Sequence, residues 1–278
     1  MPPLAIALAL SSAIIHASWN AVLKRGSDRV TDSFLVGIGG ALLGLVPIAL
    51  FGLPNAATWP FLLSSSLIHC VYWFTLFKGY DAGDLSHVYT LSRGSAPLLV
   101  ALGAAFAARE IPTTHELFGI AMVSAGVLSV GISPRAPLKA TLWGVSTGLC
   151  IATYSLVDAL GARTSGNPAI YIGWNQTLMC VPLVMFALWR RGPRRLWTDA
   201  HKDPWRGLIV GAVSMAGYGL VLWAQTLAPI AQTTALRETS VVFGALIAWI
   251  FMREPVGFRR AFGACLAATG AATIAFGG

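Results

Sequence analysis

The chain has 278 residues, of which 56% are hydrophobic and only 11% charged, with a formal net charge of +8. Soluble domains carry roughly 25% charged residues, so a chain this apolar throughout, with mean hydropathy +0.69, excludes a soluble enzyme. The 29 glycines follow no period of three, which excludes a collagen-like chain and leaves a polytopic membrane protein.

A bilayer core about 30 Å thick needs about 20 apolar residues of helix, and ten stretches meet that length. In chain order they are 4–23, 33–53, 60–80, 85–107 and 117–132, then 140–158, 169–189, 205–227, 231–252 and 256–276. Met1-Pro2-Pro3 precedes the first of them without a basic segment, so no cleaved signal peptide is expected. The third and fourth spans are separated only by Asp81-Ala82-Gly83-Asp84, and the eighth and ninth only by Ala228-Pro229-Ile230. These two tight links suggest a duplication.

The repeat is visible at an offset of 144, with 10 identities over the 37 positions from 90 to 126. They include Thr90 with Thr234, Arg93 with Arg237, Arg109-Glu110 with Arg253-Glu254, Phe118-Gly119 with Phe262-Gly263, and Gly126 with Gly270. Apolar bias would match Ala and Leu, but not charged and glycine landmarks in phase. At an offset of 135 the first spans match more weakly, Trp19 meeting Tyr154 and Asn20 meeting Ser155. The expected fold is therefore all-α, ten transmembrane helices arranged as two inverted five-helix repeats around a central cavity. Its boundaries are a first repeat over 1–133, a connecting loop over 134–139 and a second repeat over 140–278. An odd number of spans per repeat inverts the second half, a pattern of secondary transporters whose substrate site lies between the halves.

Lys and Arg are unevenly shared between the two sets of loops. Fourteen fall on one side, in clusters such as Lys24-Arg25 and Arg190–Arg195, against Arg109 and Arg163 on the other. The positive-inside rule then places both termini outside the cytoplasm. Basic clusters between apolar runs suit anionic lipid rather than nucleic acid, so membrane lipid is an expected partner and nucleic acid is not. Cys70, Cys150, Cys180 and Cys265 lie inside apolar runs without metal-ligand spacing, and neither a disulfide nor a metal is expected. No phosphate-binding loop or nucleophile motif is present. No cofactor or catalysis is therefore expected, and any transport would be gradient-driven.

Several features resemble the EamA-type branch of the drug/metabolite transporter superfamily. His16-Ala17-Ser18-Trp19-Asn20-Ala21-Val22-Leu23-Lys24 looks like that family's helix-one ending. In both halves the fourth span runs into a Glu (Glu110, Glu254), followed by a Gly nine residues later and another seven beyond. The resemblance implies a cavity between two inverted bundles, alternating access, and export of amino acids or other small metabolites from the cell (inner) membrane by a monomer or homodimer. Two features depart from it. Pro97 has Val241 as its counterpart, and relatives commonly keep both termini in the cytoplasm. The run Ser86–Gly94 also resembles a subgroup sometimes associated with phosphonates.

Arg93 and Arg237 stand out, each about eight residues into an apolar helix. A charge there costs about 2.5–3.5 kcal/mol on insertion scales, so each should face a cavity or a partner. Paired guanidinium hydrogen bonds suit a carboxylate or phosphonate; the alternative is a buried ion pair, with Glu238 or Asp158. Ser12, His16, Asn20 and Lys24 repeat every four residues, so they share one helix face that must turn toward protein or water. His16 is a candidate proton carrier. Trp19, Trp73, Tyr89, Tyr154 and Tyr218 are candidate cavity walls, and His69, Tyr72 and Ser214 stand beside them in the sequence. Asp158, Lys78, Trp223 and Gln225 are expected at the membrane interface, and Glu110 and Glu254 as caps or salt bridges beside Arg109 and Arg253. Glycine pairs such as Gly40/Gly44, Gly144/Gly148 and Gly207/Gly211 predict close helix contacts. The leading expectation is a secondary transporter of small anionic or zwitterionic metabolites. A lipid-linked carrier of the same fold and a non-transporting scaffold are the alternatives.

Overall fold

A computed structural model describes residues 1–23, 29–251, 253 and 257–277. Lys24, Arg25, Met252, Glu254 and Val256 lie outside the described residues. Among the described residues the chain is helical and contains no strand.

Helices α1 (Pro3–Leu23) and α2 (Arg29–Phe51) lead through a 3₁₀ turn, Ala56–Thr58, into α3 (Trp59–Ala82), α4 (Leu85–Ala107) and α5 (Thr114–Gly131). The second half comprises α6 (Leu138–Thr164), α7 (Pro168–Arg191), the short α8 (Pro193–Ala200), α9 (Pro204–Leu227), α10 (Ile230–Glu238), α11 (Ser240–Ile250) and α12 (Phe258–Phe276). Eight helices, α1 to α7 and α9, are long and apolar enough to cross a membrane. The other two expected spans take different forms. The ninth is divided at Thr239 into α10 and α11, and the tenth is α12, with Arg259 and Arg260 in its first turn.

Local chemistry sets these limits. Asp84 accepts from the Ser86 amide at the start of α4. At the start of α5, Thr113 and Glu116 form a reciprocal capping box, satisfying donors the helix leaves free. The division at Thr239 coincides with its hydroxyl donating to the Leu236 carbonyl at 2.6 Å, a side-chain bond that competes with the helical ladder. Gly192, at φ 71, ends α7 and Pro193 opens α8. The expected Arg190–Arg195 loop is thus two helix ends around one left-handed glycine.

The side chains are distributed as a bilayer requires. Leu42, Leu67, Phe106, Leu142 and Trp189 are exposed, whereas α1 buries Ala5, Ala9, Ala13 and Ala17. Lipid solvates large apolar groups as well as a core does, so close packing falls to small residues. A Cβ on Gly126 would lie 2.7 Å from the Gly263 carbonyl oxygen, and one on Gly119 2.9 Å from that of Gly270, so α5 and α12 touch backbone to backbone. Gly40 meets Gly211, Gly207 meets Leu35, and Gly148 meets Ser92 and Ser95, as the glycine spacings predict. Helix α2 packs on α7, α6 on α3 and α4, and α1 on α9, α10 and α11. Arg109 and Arg253, which match in the repeat, are the two non-glycine residues with positive φ among those described, at 56° and 53°.

Candidate functional site

Two adjoining cavities share a border formed by α1, α4 and α10, the first extending among α2, α3, α6, α7 and α9 and the second toward α5, α11 and α12. The first, about 160 Å³, is walled by aromatic groups including Trp19, Trp73, Tyr154 and Tyr218, and is also lined by Arg237. The second, about 500 Å³, is bordered by Glu238, Ser240 and Arg260. His16, Asn20, Tyr89 and Arg93 line both and form the partition between them. Arg93, Arg237, His16, Asn20, Trp19, Trp73, Tyr89, Tyr154, Tyr218 and Glu238 therefore each lie at one or other cavity.

Arg93 and Arg237 are engaged differently. Arg93 Nη2 stands 2.8 Å from Glu238 Oε1, with both residues buried. This pair joins α4 to the end of α10. Neither atom has an aligned hydrogen bond, so the contact is one of charge. Arg237, though next to Glu238 in sequence, points elsewhere. Its guanidinium sits 5.3 Å from the centre of the Tyr218 ring, and its buried Nε has no hydrogen-bond partner. A desolvated cation–π contact contributes about 2 kcal/mol, less than an ion pair supplies in the same place. Trp73 Nε1 is a second buried donor without a partner at this cavity.

The α1 stripe divides along its length. Ser12 donates to the Gly217 carbonyl at 2.6 Å, an interhelical bond away from both cavities. His16 Nε2 is 3.4 Å from the Tyr89 hydroxyl, and its ring meets Trp19 edge-on. The Asn20 amide donates back to the His16 carbonyl.

Behind the aromatic wall lies a polar cluster. Asp158 is fully buried, in contrast to its expected place at the membrane interface. The expected span ended at residue 158, whereas α6 continues to Thr164 and carries the carboxylate inside the bundle. Its Oδ1 accepts from the Tyr171 hydroxyl at 2.8 Å and from Asn175 Nδ2 at 2.9 Å. Its Oδ2 accepts from the Tyr218 hydroxyl. Asn175 also donates to Ser65 Oγ, which meets His69 Nδ1, and His69 stacks on Tyr154 at 4.2 Å. Tyr171, Asn175, Gln176 and Ser65 were not anticipated. The adjacent polar pair Asn175-Gln176 inside an apolar run was the available signal. Gln225 is likewise buried rather than interfacial, donating to Thr234 at 3.1 Å.

A second ion pair lies at the ends of α4, α6 and α9. Arg163 binds Glu110 at 2.6 Å and also donates to the Gln225 and Ala228 carbonyls. Glu110 in turn accepts from the Ile230 amide at 2.7 Å. Glu110 is thus both a salt bridge and the N-terminal cap of α10, with Arg163 rather than the adjacent Arg109 as its partner. Glu254, the repeat mate, lies outside the described residues.

The comparisons with known proteins bear on the whole chain. A solved structure described as "Crystal structure of protein" has a TM-score of 0.78 over 99% of this chain and 99% of its own length, at 16% identity. At that identity the likeness carries the fold alone. No curated protein sequence matches the chain. Residues 138–276 match the EamA-like transporter family, which covers half the chain, including α10, α11 and the residues that meet Arg93. The chain belongs to the EamA-like transporter family, and it is an integral membrane transporter of a small-molecule substrate.

Proposed function

We propose that this transporter carries small anionic or zwitterionic metabolites by alternating access, with Arg237 as the main anion contact. The observation that carries the reading is the unpaired Nε of Arg237, buried at the small aromatic cavity beside the unpaired Trp73 indole. Arg93, compensated by Glu238, acts as a second and conditional contact. A carboxylate or phosphonate would complete the donors that the protein leaves open. His16, Trp19, Asn20, Tyr89, Tyr154 and Tyr218 would enclose the rest of the molecule.

In this reading α10 and α11 are one broken span, giving ten passes in two five-span halves. The crossing of repeated glycines supports it. Gly119 and Gly126 match Gly263 and Gly270 in sequence, yet touch them in the opposite order, Gly119 to Gly270 and Gly126 to Gly263, as an axis relating two inverted halves requires. The matched positive φ of Arg109 and Arg253 is a second sign. Alternating access gains support from the placement of the Arg163–Glu110 link at one set of helix ends, while the cavities reach the ends of α1, α5 and α11 at the other. The charge count puts that cavity side in the cytoplasm and the termini outside; outward export follows the family resemblance.

The test is a thermal-stability screen in detergent with amino acids, carboxylates, phosphonates and organic cations. A ligand that binds only the folded state raises its melting temperature. An anion or zwitterion that stabilises the native protein but not Arg237→Gln supports the site; equal responses refute it. A lipid-linked substrate is a second reading, favoured by an apolar groove of about 410 Å³ between α11 and α12. The groove shares Ala245 with the larger cavity. It requires stabilisation by compounds that carry an acyl chain and not by their head groups alone.

A further inference from the structure

Asp158 is a buried acid that the substrate reading leaves unused. It is fully buried, its three hydrogen bonds come from neutral donors, and among the described residues no cation forms an ion pair with it. A positive charge faces it through a ring, since Tyr218 gives its hydroxyl to Asp158 and its face to Arg237 at 5.3 Å. We propose that Asp158 is a proton-binding site coupled to the anion site, so that an anion on Arg237 and a proton on Asp158 occupy the transporter together. The inference rests on the anion reading above and extends it to the coupling ion.

Titratable or charged groups stand near the carboxylate on each helix packed against α6. Tyr171 faces it from α7 and Tyr218 from α9. His69 of α3 is linked to it through Ser65 and Asn175. On α6 itself Tyr154 lies between His69 and Tyr218. Arg93 of α4 and Arg237 of α10 line the same small cavity as Tyr154, and Glu238 of α10 pairs with Arg93. The 3₁₀ turn, Ala56–Thr58, contributes no titratable group.

Charge conservation supplies the coupling. Arg93, Arg237, Glu238 and Asp158 sum to zero when all are ionised, so this cluster of four is neutral before an anion arrives. An arriving anion leaves a net negative charge inside the membrane, where uncompensated charge is costly. It also draws the Arg237 guanidinium off the Tyr218 ring, taking away the positive charge that faces Asp158. One proton restores neutrality. The Tyr218 hydroxyl, at the cavity wall, passes its proton to Asp158 Oδ2 and regains one from a hydronium ion in the cavity. One O–H bond forms on Asp158, the Tyr218 O–H bond is broken and remade, and water is released. A zwitterion brings its own positive charge and takes up no proton.

Isethionate and taurine separate these cases, because they share a sulfonate of similar size and only taurine carries an ammonium group. Binding to the purified protein would be measured calorimetrically from pH 5.5 to 7.5, with proton uptake read by a dye in weak buffer. Native protein should take up about one proton per isethionate bound, so that its Kd falls up to about tenfold per unit fall in pH. Taurine should show neither effect. Asp158→Asn should bind isethionate with less than about 0.2 proton taken up and a pH-independent Kd. If that variant fails to fold, Tyr218→Phe, which keeps the ring and removes one of the three donors to the ionised carboxylate, should move the pH range of proton uptake upward. Isethionate binding without proton uptake, uptake retained in Asp158→Asn, or a pH range of uptake unmoved in Tyr218→Phe overturns the proton site and leaves the anion site standing. If isethionate, acetate and inorganic phosphate all fail to bind the native protein, both readings fall together.

Discussion

Replacing Arg93 by Gln leaves Glu238, 2% exposed, as a buried carboxylate without its cation. Removing one member of a buried pair costs about 3–5 kcal/mol, and Glu238→Gln should cost a similar amount by stranding Arg93. Charge centres about 4 Å apart attract by about 4 kcal/mol at an effective dielectric of 20. The double variant removes both charges and should lose only about 1–2 kcal/mol, chiefly in packing. The cycle therefore predicts a coupling energy of several kcal/mol, of the order of the attraction. The assay is reversible unfolding in mixed detergent micelles at increasing fractions of sodium dodecyl sulfate. A saturating anionic ligand found in the screen should reduce the coupling, because it would share Arg93 with Glu238. Single losses that add in the double variant would refute the pairing, and a coupling unchanged by ligand would remove Arg93 from the binding surface.

Three further outcomes follow from contacts already described. Gly126→Leu places a side chain where a Cβ already lies 2.7 Å from the Gly263 carbonyl oxygen; about 1–3 kcal/mol of stability should be lost by the same titration, whereas Gly257→Ala, in open space, should be neutral. Arg163→Gln removes one ion pair and two bonds to carbonyls at a half-exposed position, for about 2–3 kcal/mol after allowance for solvent. Glu110→Gln should cost about 1 kcal/mol, since its amide oxygen can still accept from the Ile230 amide, and equal losses would contradict the three-way role of Arg163. Arg237→Lys keeps the charge but loses the forked guanidinium donors that pair with an anion. Anion affinity should fall about tenfold with little change in melting temperature, measured by calorimetry with the screened ligand.

The membrane class and the two buried arginines were readable from the residues, because each rests on an energetic rule with few exceptions. A bilayer tolerates a charged side chain only against protein or water, so Arg93 and Arg237 announced a cavity or a partner without any coordinates. Repeated Arg-Glu and glycine landmarks were legible for a different reason, since apolar composition cannot generate them by chance in register.

The division of labour between the arginines was settled only by packing. Arg237 and Glu238 are neighbours in sequence, yet successive residues on a helix point about 100° apart. The glutamate thus turns to Arg93 on α4 while Arg237 turns to Tyr218 on α9. Asp158 was misplaced because hydropathy marks where apolar residues stop rather than where a helix stops, and α6 runs on to Thr164. The division of the expected ninth span into α10 and α11 escaped for the same reason. Hydropathy averages over Thr239, whereas its hydroxyl bond to Leu236 acts at one residue. Composition and periodicity report what the solvent demands of each segment. Which buried polar group meets which depends on the rotation and depth of each helix, and these arise only when the helices pack.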